Sequence, residues 1–405
     1  MRGLFMAGVD AARAHHYLPA HLPTDRPAGR TVMIALGKAA GDMAQVALER
    51  IAVDRGLVVV PKGGLPPEFR APPHVEVITA SHPVPDAESV RAGHTALALA
   101  QDLGPDDRLL VLLSGGGSSL MTVPRHPLTL ADLIAVNDAL LRSGAPIGVI
   151  NTIRRALCEV KRGGLAAAAG SADVITLVLS DVPGDDLGAV ASGPTVAGQC
   201  GDDWRELAAG LGIAMPAVLD RVTAQTGSNV REPLLVGSAA ISLAAMARTA
   251  QRLGYTPILL GDDLEGDAVD LAQQHAALAV DLAATGRPTA LISGGETSVA
   301  ITERSGRGGR NQTYALALAL ALRAHPSIHA LAGDSDGIDG NSPHAGAMIF
   351  PDTLARCRNL NCDPALLLAS QNTAPAFELL GDGLSTGPTF TNVNDLRAIL
   401  IGTPA

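Results

Sequence analysis

Short apolar runs, many ending in serine or glycine, alternate with longer amphipathic stretches along most of this chain, and that alternation leaves few folds open. Runs of strand length fall at Thr31–Leu36, 57–60, 75–79, 109–113 and 174–179. The stretches 39–51, 87–103 and 131–142 between them carry helical spacing. Strands separated by helices are joined by right-handed crossovers and form a parallel sheet covered on both faces. The pattern resumes with strands at 256–260, 289–292 and 329–332 and helices at 239–253, 267–284 and 312–323. Residues 197–232 are polar, with weak helical spacing and no clear strand. This predicts a boundary near Arg231 and domains over 1–231 and 232–405.

At about 150 residues per domain, 405 residues make two to three domains. A content of 47% hydrophobic residues at a mean hydropathy of +0.24 can fill their cores. Disorder, collagen-like repeats and a disulfide scaffold are excluded on that composition. The net charge of −10 provides no overall basic field to recruit nucleic acid. No apolar run approaches the roughly 20 residues that span a bilayer. The longest, 314–322, is Ala/Leu alternation closed by Arg323 and reads as a buried helix. Asp10 interrupts the N-terminal apolar stretch too early for a signal peptide, so that stretch reads as a first helix. Cys158, Cys200, Cys357 and Cys362 form no CxxC pair and read as reduced thiols. The expectation is a soluble, cytoplasmic protein.

Two loops share a composition. Strand 109–113 runs into Ser114-Gly115-Gly116-Gly117-Ser118-Ser119, and strand 289–292 runs into Ser293-Gly294-Gly295-Glu296-Thr297-Ser298. Serine and glycine at the carboxyl end of a strand expose backbone N–H groups that suit a phosphate or carboxylate. The plainer reading is a tight turn needing glycine for positive φ. Two other strand ends carry carboxylates, Ser180-Asp181 through Asp186 and Gly333-Asp334-Ser335-Asp336 through Asn341. Asp181, Asp334 and Asp336 are the candidates to hold Mg²⁺ together with substrate phosphates, against a reading as solvated turn residues. Gly306-Arg307-Gly308-Gly309-Arg310-Asn311-Gln312 places two arginines at a helix entrance, where they can grip phosphate oxygens. The cluster 389–395 is either a cap for a following helix or a wall of a cleft.

Only three basic residues are lysine, Lys38, Lys62 and Lys161, each close to glycine. In a chain that otherwise uses arginine, a retained lysine marks a place for a compact ammonium, with chance placement as the alternative. No GxGxxG occurs, which removes the dinucleotide fingerprint, and no P-loop is present. The residues alone thus lead to a two-domain α/β protein that binds anions, with phosphoryl transfer preferred.

Gly37-Lys38-Ala39-Ala40, Ser81-His82-Pro83-Val84-Pro85-Asp86, 114–119, 151–155 with Lys161-Arg162-Gly163-Gly164, 180–186, Ser192-Gly193-Pro194-Thr195, 293–297, 306–312, 332–340 and 386–395 follow one another in the order of a known family. On these segments the chain resembles the glycerate 2-kinases, whose C-terminal half is called the MOFRL domain. The resemblance implies a Rossmann-like N-terminal α/β/α domain with a mainly parallel sheet, a C-terminal α/β domain and an active site in the cleft between them. It implies ATP-dependent phosphorylation of the 2-hydroxyl of D-glycerate with a divalent cation such as Mg²⁺. It assigns catalysis to Lys38 and Arg310, with Arg307 as an alternative in the same loop, and Asp181 is added to them here. Lys161, Asn311, Gln312 and Asn392 join the two Ser/Gly loops in the expected phosphate-binding set. The ligands implied are small molecules, with no nucleic acid and no membrane, and a homodimer is left open. Two rival functions are an NAD(P)H-dependent hydroxypyruvate reductase and a non-catalytic sensor of small phosphorylated acids.

Overall fold

The computed structural model describes residues 1–143, 145, 147–196, 204–213, 229–300 and 306–404. Cys200 and most of the polar stretch 197–232 lie outside that set. The chain divides into two compact units. One comprises Ala14–Ser180 and Asp185–Val236; the other comprises Met1–Arg13, Asp181–Gly184 and Gly237–Ala405. A single cut at 231 therefore does not describe the division, because the first helix belongs with the C-terminal half. The cause is apolar burial. Leu4, Phe5 and Val9 of helix Arg2–Ala11 pack with Leu243 and Met246 of helix Ala239–Arg252. Gly8 permits the close approach, since a Cβ there would stand 2.9 Å from the Met246 Cγ.

The first unit is built on strands β1 (Thr31–Leu36), β2 (Arg55–Pro61), β3 (Val75–Ala80), β4 (Arg108–Leu113), β5 (Asp173–Leu179) and β6 (Leu234–Gly237). Their order is β3-β2-β1-β4-β5-β6, and β1 to β5 pair in parallel. That order is the doubly wound arrangement, which reverses direction between β1 and β4 and opens a crevice at their carboxyl ends. Every residue of β1 and β4 is buried, as the continuous apolar runs require of a sheet covered on both faces.

The second unit contains β7 (Thr256–Gly261), β8 (Gly266–Asp267), β9 (Thr289–Ser293), β10 (Thr297–Ser298), β11 (Ile328–Asp334), β12 (Gly346–Ile349), β13 (Gly383–Leu384) and β14 (Asp395–Ile401). Its main sheet has the order β13-β12-β11-β14-β9-β7 and is mixed: β14 runs antiparallel to both of its neighbours, while β7 and β9 are parallel. The alternation of helix and strand resumes here, as expected of a second α/β domain, and the sheet it builds is mixed. The cluster 389–395 does not cap a helix either; it leads into β14, the fully buried centre of the sheet. Separate apolar clusters cover the two faces, one centred on Tyr314, Leu316 and Leu318 and the other on Phe5, Leu243 and Leu396. Among the described residues, no helix is long and apolar enough to cross a membrane.

Candidate functional site

In the parallel-sheet unit the reversal of strand order sets Gly37 and Lys38, just after β1, beside the 114–119 loop that follows β4. Leu36 and Leu113 are register partners, so the two chains leave the sheet side by side. The Lys38 N–H donates to the Gly115 carbonyl (2.8 Å), and the Ala39 N–H donates to the Ser114 Oγ (3.0 Å). Gly37, at φ +123°, has no alternative residue, since a Cβ would meet the Ser114 Oγ at 2.3 Å. Gly116 is left-handed at φ +79°. A Cβ on it would stand 3.2 Å from the Lys38 Cγ and 3.3 Å from the His82 Cε1, so the lysine stem, the imidazole and this glycine share one corner. His82 Nδ1 and Ser119 Oγ are hydrogen-bonded at 2.8 Å, and Ser118 Oγ pairs with Ser192 Oγ at 2.8 Å. Among the described residues, no acceptor is taken by the backbone N–H groups of 115–118. The turn after β1 is the opposite case: Gly37, Lys38 and Ala39 all spend their N–H groups on Val59, Gly115 and Ser114.

Lys161 lies deeper in the same unit, 7% exposed and next to Cys158. Burial pushes its pKa down, with the Arg154 and Arg155 charges acting the same way and Cys158 opposing them.

In the mixed-sheet unit three strand ends converge, because β14 runs against β9 and β11: Asp334 is the register partner of Asp395, and Ser293 that of Arg397. Arg310, the first residue of helix Arg310–Leu322, reaches all of this end. Its Nε donates to Asp395 Oδ1 (2.9 Å), Nη2 to Asp334 Oδ2 (2.9 Å) and Nη1 to Glu296 Oε1 (2.5 Å). Burial opposes its charge, but Asp395, Asp334 and Glu296 outweigh that and raise its pKa above the ordinary arginine value. Asp395 is 0% exposed. Burial works to raise its pKa, and Arg310 and Arg397 overcome this and hold it below the ordinary carboxylate range. Arg397, 1% exposed, donates to Asp395 Oδ2 (2.5 Å) and to the Gly294 carbonyl (2.8 Å).

Several of the expected ligand groups are hydrogen-bonded within the protein. In the second Ser/Gly loop the Gly294 N–H goes to Gly261 and the Thr297 N–H to Asp395 Oδ2, so the protein's own carboxylate occupies the place foreseen for a substrate anion. Gly295, at φ +100°, lies against the backbone of Leu264. Ser293 and Thr297 are buried, as are Asn311 and Gln312. Asn311 Nδ2 donates to Asp395 (2.6 Å), and Gln312 Nε2 donates to Ser342 (3.2 Å). Asn392 Nδ2 donates to Asp181 Oδ2 (2.8 Å), which makes it a holder of that carboxylate. Asp334 has Oδ2 on Arg310 and Oδ1 on the Asp336 N–H (3.0 Å), which fits a cation ligand poorly. Asp336 Oδ1 accepts the Ile338 N–H (2.8 Å). Among the described residues, Asp181, Asp334 and Asp336 do not bring three ligand atoms within 4.8 Å of one another. Arg307 is half exposed and pairs with Glu378, which leaves Arg310 as the arginine at the strand ends.

Sequence reasoning assigned no role to Arg397, His275 or Tyr314, and placed Asp395 and Asp339 only within the polar clusters 389–395 and 333–341. The Asp395-x-Arg397 spacing, which puts both side chains on one face of a strand, was the available signal. Asp339 caps the Arg310 helix, accepting the N–H groups of Asn311 (3.0 Å) and Gln312 (2.8 Å). Burial pushes its pKa up to about 7 against those two donors. His275 Nδ1 is bonded to the Tyr314 hydroxyl (2.7 Å), whose ring lies under Arg397.

Burial, then the Arg397 charge, lowers the His275 pKa from 6.5 to about 4. Between those values the unfolded chain takes up a proton that the folded chain refuses. Stability carried by this imidazole is complete above pH 6.5 and falls by about 3 kcal/mol as pH drops to 4. Asp339 has the opposite sign in the same window, so the quantity to read is a difference. A His275→Gln variant is expected to lose less melting temperature than the parent between pH 7 and pH 4.5. Parallel curves would show that His275 titrates normally.

The sequence matches two families: a domain of unknown function, DUF4147, over residues 1–223, and the MOFRL family over residues 289–395. A relative from Agrobacterium vitis, provisionally named hydroxypyruvate reductase, is 43% identical over 99% of this chain and 94% of its own. The glycerate 2-kinase of Pyrococcus horikoshii is 35% identical, covering 92% of this chain and 88% of that protein. The crystal structure of a glycerate kinase from Thermotoga maritima superposes with a TM-score of 0.88 at 32% identity, over 99% of this chain and 98% of that one. With these matches spanning nearly the whole chain, and the motifs running in order from Lys38 to Asp395, the chain belongs to the glycerate 2-kinase family.

Proposed function

We propose that this protein transfers the γ-phosphoryl group of ATP to the 2-hydroxyl of D-glycerate, giving 2-phosphoglycerate and ADP. The observation that carries the reading is the corner at the β1/β4 reversal, where the Lys38 stem lies beside Gly116 in a loop whose 115–118 N–H groups have no acceptor among the described residues. Donors fixed before the substrate arrives stabilise the charge of a transferring phosphoryl group without reorganisation. Lys38 supplies the ammonium there. Arg310 holds its three carboxylates and still has two of its five N–H donors for substrate oxygens.

In the mixed-sheet unit Asp395, Asp334 and Glu296 are spent on Arg310 and Arg397, so a hard divalent cation would look to carboxylates outside that network. Asp181, held by Asn392, and Asp336 are the residues that would hold Mg²⁺ there. Bound Mg²⁺ would offset phosphate charge. A reducing compartment such as the cytosol agrees with three free cysteines, Cys158, Cys357 and Cys362.

The name carried by the Agrobacterium relative raises reduction of hydroxypyruvate as the second reading. A nicotinamide dinucleotide on a doubly wound sheet rests its pyrophosphate on the first strand-to-helix turn. Here that turn has already given its N–H groups to Val59, Gly115 and Ser114, which favours the kinase. Incubation with D-glycerate, ATP and Mg²⁺, read by NMR, is expected to give 2-phosphoglycerate, and chelation of the metal is expected to stop it. NADH-dependent reduction of hydroxypyruvate without phosphoglycerate would refute the proposal.

A further inference from the structure

A group of cations in the parallel-sheet unit forms no ion pair among the described residues, with only Glu159, acting on Arg125, and Cys158 to offset it. Arg154 and Arg155 end helix Ile147–Ala156, and Lys161 follows after Cys158. The 123–125 and 157–159 segments pair through Arg125 N to Leu157 O (3.0 Å) and Glu159 N to Val123 O (2.9 Å), which brings Arg125 to the same place. Lys161 is 7% exposed, and the Nε atoms of Arg125 and Arg155 are buried without a hydrogen-bond partner. Among the described residues, Arg125, Arg154, Arg155 and Lys161 form no ion pair with a carboxylate. Of the groups whose charge acts on Lys161, only Cys158 can become an anion; Arg154 and Arg155 repel it. Burying cations unpaired is costly unless a ligand supplies the counter-charge.

This cluster joins the glycine loop through hydrogen bonds. The Arg162 N–H donates to the Ser192 carbonyl (3.1 Å), and the Ser192 Oγ pairs with Ser118. A glycerate carboxylate carries one negative charge and would leave at least two of Arg154, Arg155 and Lys161 unbalanced. A phosphoryl group brings close to two charges and three acceptor oxygens. Resting on the proposed kinase reading for the identity of the reactants, we infer that Arg154, Arg155 and Lys161 form a phosphoryl-group subsite. It takes either the nucleotide phosphates or the phosphate of the product, and the glycerate carboxylate binds elsewhere.

Calorimetry on the full chain with inorganic pyrophosphate, ADP, 2-phosphoglycerate and D-glycerate separates these cases. The double variant Arg154→Gln/Arg155→Gln is expected to weaken pyrophosphate by about thirtyfold or more and leave glycerate unchanged. Loss of ADP identifies the nucleotide as the occupant; loss of 2-phosphoglycerate alone identifies the product. Lys161→Met is expected to raise the ligand-free melting temperature by about 2–4 °C while abolishing the shift that pyrophosphate produces. A merely structural lysine would give a lower melting temperature and an unchanged pyrophosphate shift, and that result overturns the assignment. So does weakened glycerate binding with phosphate binding intact. If the wild type makes no 2-phosphoglycerate yet pyrophosphate binds and the double variant loses it, the kinase reading fails and the subsite stands.

Discussion

Replacing Arg310 with alanine is expected to reduce kcat/KM for ATP and glycerate by about a thousandfold or more and to destabilise the protein by about 3–5 kcal/mol. The two losses have one origin. Arg310 is the common partner of Asp395, Asp334 and Glu296, of which Asp395 is fully buried and Asp334 nearly so. Without the guanidinium, two buried carboxylates face each other across the β11/β14 register with Arg397 alone to compensate. Lysine cannot substitute, because one ammonium cannot present the planar fork that reaches three acids at once. Stability and catalysis separate in a double variant. Adding Asp334→Asn to Arg310→Ala removes one uncompensated charge, so the melting temperature recovers in part while activity stays lost. A single variant with the parent's melting temperature and rate would show that the strand-end network neither holds the fold nor serves the reaction.

The parallel-sheet unit was legible in the sequence because its strands are buried on both faces and so appear as unbroken apolar runs. Thr31–Leu36 needed no partner information to be recognised, and the Ser/Gly loop after 109–113 announced the strand end that matters. The mixed-sheet unit was less legible for a physical reason. β14 is central and fully buried yet contains Asp395 and Arg397, whose charges are tolerated because they pair with each other and Asp395 also pairs with Arg310. The Asp395-x-Arg397 spacing is the one local trace of it, and nothing in the residues 395–401 reveals Arg310, 85 positions earlier, as the further partner of Asp395. The two Ser/Gly loops show the same limit from the other side. Their compositions match, but among the described residues 115–118 finds no acceptors for its N–H groups, and 293–297 delivers one to Asp395, a residue about a hundred positions further on. Composition marks a loop able to bind an anion; the fold decides whether the anion is a ligand or part of the protein.

Lys38→Met is expected to leave the fold intact and lower kcat by about a thousandfold, with a much smaller change in KM. The fold should survive because position 38 is tied down by its backbone, through the N–H bond to the Gly115 carbonyl, which a methionine keeps. The methionine stem also fills the space beside Gly116 that the lysine stem fills now. What disappears is the ammonium, and a fixed charge beside a transferring phosphoryl group matters most when charge moves in the transition state. Gly116→Ala gives the converse perturbation. It keeps the ammonium but forces a side chain at φ +79° to within 3.2 Å of the lysine stem and 3.3 Å of His82, so Lys38 and His82 shift together. Its expected effect is a similar loss of rate with a modest loss of stability. Should Lys38→Met retain the parent's kcat while Gly116→Ala abolishes it, the chemistry at this corner would rest on the backbone N–H groups, and Lys38 would be a bystander.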